Sequence, residues 1–208
     1  MSTAASSSKL RVEPMTGAAV ERYLPDLARL RISVFREFPY LYLGNMDYET
    51  GYLRKYLSAP DSVIVVALDG ERVVGASTAV PLARETPEVQ RPFLEQGYAP
   101  EQVFYLGESV LEPAYRGRGI GVRFFEAREA HARRVGEFHW SAFCGVQRPA
   151  DHPRRPADYV PLDDFWTHRG YVRHPELTTT FSWRDVDEAR QTPKPMMFWL
   201  KRLNPGSP

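Results

Sequence analysis

The chain has a single cysteine, Cys144, among its 208 residues, so no disulfide can close within it. Its 5 histidines show no His-Glu-x-x-His spacing and no cysteine pair accompanies them, so neither a structural nor a catalytic metal is expected. Long apolar runs are missing too. No window approaches the ~20 consecutive apolar residues of a membrane span, and the opening residues MSTAASSSKL lack the basic-then-apolar order of a secretion signal. A cytoplasmic protein with no membrane partner is the expectation. An excess of one charge is likewise absent: 27 Lys plus Arg face 26 Asp plus Glu, leaving a formal net charge of +1. No global field selects nucleic acid, and any electrostatic recognition must be local.

What is present suits one globular domain: 43% hydrophobic and 12% aromatic residues supply a substantial core. Residues 1–8 read as a small, polar, disordered leader, 9–203 as the domain and 204–208 as a tail. Residues 10–13 alternate like a short strand, and 18–38 repeat apolar positions at helical spacing with a break at Pro25. A second helix is expected over 48–57. Asp69-Gly70 joins two β-rich runs, 62–68 and 72–80, into a hairpin. Residues 83–102, with three prolines and several charges, read as a surface insertion holding a short helix. A strand over 103–111, a helix over 119–135 and a strand over 138–146 then form a right-handed parallel crossover. The proline-rich 147–161 reads as a long loop, followed by a short helix over 162–169 and strands over 177–183 and 196–201 around a polar connector.

The run from 103 to 121, VFYLGESVLEPAYRGRGIG, joins an apolar strand to a glycine-rich turn that opens an amphipathic helix. Gly117, Gly119 and Gly121 let the backbone approach a ligand without interference from a β-carbon, while Ile120 anchors the helix. The first helical amides have no intrahelical partner and lie at the positive end of the helix dipole. They suit a diphosphate, with the charges of Arg116 and Arg118 beside it. A turn that needs glycine for geometry alone is the plainer reading. A nucleotide P-loop is excluded because no Lys-Ser or Lys-Thr follows the glycines. A dinucleotide fingerprint would need glycine where Val122 stands, although Glu137 lies at the distance of a ribose-binding acid.

The string Arg116-Gly117-Arg118-Gly119-Ile120-Gly121 resembles the acyl-CoA signature of the GNAT superfamily of N-acetyltransferases, Arg/Gln-x-x-Gly-x-Gly/Ala, and Leu111-Glu112-Pro113 is similar to its usual lead-in. Phe165 to Tyr171 resembles, more weakly, the family segment that ends on a Gly-aromatic pair. The resemblance covers about residues 9–203. It implies a mixed α/β sheet, mostly antiparallel, whose two central parallel strands (103–111 and 138–146) splay apart to admit a pantetheine arm. Acetyl-CoA would be the co-substrate and a primary amine of a small molecule the acceptor, attacked directly in a ternary complex; family members are often homodimers. Val110 and Leu111 would offer backbone groups to the pantetheine arm.

Acyl transfer to an amine needs a base for the acceptor, a donor for the carbonyl oxygen and, less urgently, an acid for the thiolate. The resemblance places an acid near Glu108, the candidate base; the alternative is that Glu108 bonds a neighbouring backbone group or an arginine. Strand alternation does not decide its facing, because a bulge would reverse it. The family's usual acid, a tyrosine, is replaced by Trp166, whose indole cannot act as one. Tyr105, Tyr159, Cys144 or solvent could substitute; Cys144 as nucleophile has no histidine placed to activate it. The acceptor rim is expected from Arg36, Glu37, Tyr40 and Tyr42, with Asp151, His152 and Asp158, while Arg148, Arg154 and Arg155 would suit a carboxylate-bearing amine. A non-catalytic acyl-CoA sensor of the same fold, and a protein or peptide N-acetyltransferase, are the alternative functions.

Overall fold

The computed structural model describes residues 10–203; the expected leader and tail lie outside the described residues. One seven-stranded sheet organises the chain in the order β1-β2-β3-β4-β5-β7-β6. Its strands are β1 (Leu10–Met15), β2 (Val63–Asp69), β3 (Arg72–Pro81), β4 (Val103–Leu111), β5 (Trp140–Val146), β6 (Val172–Trp183) and β7 (Thr192–Arg202). Only β4 and β5 run parallel; the other neighbours are antiparallel. A sheet of this kind does not build a dinucleotide fold, and Glu137 lies exposed beyond the helix end.

Alternation along β2 shows how the sheet is covered. Val63, Val65 and Ala67 join Phe104, Leu106, Ile120, Phe124 and Phe125 in one core, so that face packs on α4 (Ile120–Val135). Ile64, Val66 and Leu68 join Leu27, Leu30 and Leu53 on the opposite face, under α1 (Leu24–Phe35) and α2 (Met46–Ser58). Asn45 caps α2 by accepting from the amides of Asp47 and Tyr48. Among the described residues no helix is long and apolar enough to cross a membrane.

Several boundaries differ from expectation for local reasons. The helix expected over 18–38 is a 3-10 turn, Gly17–Tyr23, followed by α1, because Pro25 favours a helix start; α1 stops at Phe35, short of the Phe38-Pro39 peptide, which is cis. The insertion is not merely superficial. Its helix α3 (Pro87–Glu95) buries Val89 and Phe93 against Tyr105, Leu177 and Phe198 in a third cluster. β6 begins at Val172 rather than 177, because a register shift between His174 and Thr178 absorbs Pro175 and lets pairing with β7 resume. β7 begins at Thr192 and β5 at Trp140, and the helix expected over 162–169 is the single turn α5 (Asp163–Thr167).

Candidate active site

The parallel ladder is short. Val103, Phe104 and Tyr105 pair with Trp140, Ser141 and Ala142, and there the register ends, while β5 continues beside β7 to Val146. The remainder of β4, from Leu106 to Leu111, therefore presents its β5-side edge without a neighbouring strand. Tyr105 marks the fork, its hydroxyl 3.2 Å from Cys144 Sγ on the other strand. Beyond the fork, the chain leaves β4 through the turn that starts α4. Gly117 and Gly119 have φ of 73° and 75°, and Gly119 is the N-cap. A β-carbon at either would meet nothing within 4 Å, so the turn is open, and its glycines answer to backbone conformation. Gly121 faces Phe165, 3.3 Å from where its β-carbon would be. Arg118 stacks on Tyr115, whereas Arg116 reaches Glu37 at 2.8 Å and the Leu111 carbonyl at 3.3 Å. Glu37 thus faces the glycine turn.

On the α1–α2 side of the fork stands Glu108. The register passes from Thr78↔Glu108 to Ala79↔Leu106, so Gly107 is the extra residue of a bulge, and it is this bulge that turns Glu108 toward the helices. Its carboxylate is 6% exposed, with Oε1 2.5 Å from Arg31 Nη1. Tyr52 donates to Oε2 at 2.9 Å. Tyr52 also contacts Tyr56 at 3.1 Å, and Thr78 donates to Tyr56 at 3.1 Å, closing a ring of polar side chains over Gly107. From the other face, Arg128 donates to the carbonyls of Thr78 and Glu108 at 3.3 and 3.1 Å. Desolvation pulls this guanidinium down to about 10, so it is charged at neutral pH. Burial opposes the charge on Arg31 as well, but Glu108, Tyr52 and Glu49 outweigh it and hold Arg31 well above its usual value.

The family model for the acetyltransferase (GNAT) family matches residues 27–156. The chain belongs to the GNAT acetyltransferase family. Solved structures agree in fold at low identity. A ribosomal-protein-alanine N-acetyltransferase from Brucella melitensis superposes with a TM-score of 0.60 at 15% identity over 92% of this chain and 99% of that one. NAA60 of Arabidopsis thaliana, in complex with acetyl-CoA, gives 0.60 at 13% over 93% and 98%. The structure of yncA from Salmonella typhimurium with its cofactor acetyl-CoA gives 0.58 at 12% over 96% of each chain. Among curated proteins none matches the chain by sequence. Acetyl-CoA is the co-substrate of this acetyltransferase. The structure suits it, because a strand edge without a partner accepts an amide-bearing arm and an open left-handed glycine turn accepts a diphosphate.

Trp166, at the family's usual tyrosine position, packs against Phe143 and Trp199 with centroids 5.0 and 5.2 Å away, and Gly145 makes room for its ring. It is a half-buried residue packed against the core. Desolvation pushes the Cys144 thiol up to about 12, which disfavours the thiolate a nucleophile needs. Burial raises the Tyr105 and Tyr40 phenols too, and Cys144 acts on both in the same direction, which places Tyr40 on the fork side. Leu41 beside it takes φ 54° and is buried, an unusual conformation for leucine. Residues 41–43 are held by backbone bonds, Leu43 N to Arg184 O and Val186 N to Leu41 O, at 2.9 and 2.7 Å.

Of the other rim candidates, Tyr42 lies against Glu49, which together with burial raises its phenol. His152 packs on Phe38 at 5.6 Å, whereas Arg36, Asp151 and Asp158 are exposed. Arg148 donates to the carbonyls of Pro39 and Tyr40 at 2.8 Å each and pairs with buried Asp185 at 2.8 Å. Arg154 pairs with Asp187, and Arg155 stacks on Tyr159. Sequence reasoning missed Arg31, Glu49, Tyr52 and Tyr56. Their signal was present: Arg31 falls on the apolar stripe of α1, and 49, 52, 53 and 56 form one stripe of α2 in which three residues of four are polar.

Proposed function

We propose that this acetyltransferase acetylates the primary amine of a small molecule by direct attack, with both substrates bound together. The observation that carries the reading is the seam between the 36–42 and 148–159 segments. Phe38 packs edge-on to Tyr159 at 4.7 Å, and Arg148 grips the carbonyls of Pro39 and Tyr40, so the two segments are joined where Tyr40 feels both Glu108 and Cys144. An acceptor the size of a metabolite suits a site bordered in this way better than a polypeptide does.

The amides at the start of α4 and the turn at Gly117, Gly119, Ile120 and Gly121 take the diphosphate, with Arg118 beside them and Glu37 bracing Arg116. The open edge at Val110 and Leu111 takes the pantetheine arm. When bound, acetyl-CoA supplies an activated acyl carbon with a good leaving group. Glu108 does the work this chain must supply, because an alkylammonium ordinarily keeps its proton up to ~10.4 and has to lose it before attacking. Tyr105, at the fork, is the phenol placed to donate a proton in the opposite direction. Tyr40 rims the acceptor.

A protein terminus is the second reading, favoured by the Brucella neighbour, whose name specifies a ribosomal-protein alanine. The deciding experiment measures CoA release from acetyl-CoA over a panel of small amines and of amino-terminal peptides. Acceptor-dependent release with small amines supports the proposal, and a clear preference for peptides overturns it. Glu108→Gln should lower kcat by ~10²-fold or more, the usual worth of a positioned general base, with coenzyme affinity by calorimetry little changed.

A further inference from the structure

Arg31 faces two carboxylates at once. Its Nε lies 2.5 Å from Glu49 Oε2 and its Nη1 2.5 Å from Glu108 Oε1, and the three side chains are 10%, 0% and 6% exposed. α1, α2 and β4 each contribute one member. Arg31 Nη1 and Glu108 Oε1 touch as an ion pair without hydrogen-bond geometry, and both atoms are buried. The other oxygen is fixed by Tyr52, whose ring meets two cations, Arg31 and Lys55, each 4.2 Å from its centroid. The triad carries two negative charges and one positive.

We propose that Arg31 and Glu49 are positioning residues for the acyl transfer: Arg31 aims Glu108 at the acceptor side of the fork, and Glu49 offsets the charge of Arg31 so that Glu108 remains an effective base. This rests on the reading of Glu108 as the base. A carboxylate facing an arginine alone is held in its ionised form and gives up basicity. With Glu49 on the same guanidinium, uptake of one proton by Glu108 takes the triad from one net negative charge to neutral, so protonation relieves an excess of charge. The proton comes from the acceptor ammonium, leaving its nitrogen lone pair free, and the N–H bond breaks as an O–H bond forms on Glu108. The same net charge selects a cation as acceptor. Of the three arginines that would greet a carboxylate, Arg148 and Arg154 pair with Asp185 and Asp187, and Arg155 stacks on Phe38 and Tyr159. Besides Arg31 and Tyr52, the ionisable groups that feel Glu108 are Tyr56 from α2, Tyr40 from the acceptor loop and Arg128 from α4, and Glu85, paired with Lys55, acts on the same Tyr52 and Tyr56.

The test is a pair of variants whose effects have opposite signs. Glu49→Gln leaves Arg31 unopposed, so the acidic limb of the kcat–pH profile should move down by about one unit. Arg31→Met leaves two facing carboxylates, so the limb should move up by about one unit or more, the scale of shifts from a close charge. Arg31→Lys should return most of the limb toward wild type. A carboxyl NMR titration of Glu108 in the coenzyme-free protein should follow the same directions, and acetyl-CoA affinity by calorimetry should stay within about twofold throughout. Folded variants whose limbs and NMR titrations stay put, or move the same way, overturn the proposal. If Arg31→Met does not fold, Glu49→Gln and Arg31→Lys decide it alone. A Glu108→Gln enzyme that keeps the acidic limb takes down the base assignment and this inference together. One that loses the limb while the other variants do not move takes down this inference only.

Discussion

A β-carbon placed on Gly107 would lie 2.5 Å from the Tyr56 hydroxyl, closer than such atoms approach in folded proteins. The same atom would be 2.7 Å from Thr78 Oγ1, so two members of the polar ring above the bulge press on this one position. Glycine is required here by crowding, since its φ is not among the positive values.

Gly107→Ala should therefore cost ~1–3 kcal/mol, the range for overfilling a packed site. Adding Tyr56→Phe removes the nearer hydroxyl and should recover part of that loss. Thermal or urea unfolding of the two single variants and the double variant checks the coupling; strict additivity would show that the ring does not press on the bulge.

Gly119→Glu should abolish measurable acetyl-CoA binding while the fold survives. The left-handed backbone at φ 75° resists any side chain, and a carboxylate placed there opposes the diphosphate. Calorimetry with acetyl-CoA reads the effect directly, and retained affinity would contradict the assigned turn.

Cys144 should resist alkylation at pH 8–9 in the folded protein and react promptly once unfolded. Its thiol rises from an ordinary value of 9.0 to about 12 on folding, chiefly through desolvation. The native chain thus holds a proton that the unfolded chain sheds, so this group stabilises the fold fully below pH 9 and loses that contribution as pH climbs toward 12. Iodoacetamide labelling across that range, with and without denaturant, reads it. Rapid labelling of the native protein at pH 8 would refute it.

In the connector between β6 and β7 Glu188 falls to about 2 from 4.5, held first by the Asp185 amide and further by Lys194 and Thr192. The sign is opposite: its stabilisation is complete above pH 4.5 and fades as pH falls toward 2, because the unfolded chain binds the proton first. Glu188→Gln should lower the Tm at neutral pH and flatten its decline between those values. An unchanged slope in acid would assign that decline to other carboxylates.

The sequence located the glycine turn, the hairpin at Asp69-Gly70 and the crossover 103–146 within a few residues, because each depends on neighbours in the chain: left-handed positions, a two-residue turn, alternation into a helical period. It named Glu108 but could not orient it, since the bulge at Gly107 exists only when β4 is laid beside β3. α3 reads as surface from its prolines and charges, yet buries Phe93 against Phe198, a contact across more than 100 residues that no local pattern announces.

Local chemistry, then, determined the left-handed glycine turn that opens α4, a string of six consecutive residues that resembles the acetyltransferase signature. Only the tertiary structure decided who surrounds Glu108. Arg31, Glu49 and Tyr52 come from two helices distant from β4 in sequence, and burial, which no single residue carries, is what turns their charges into strong mutual constraints.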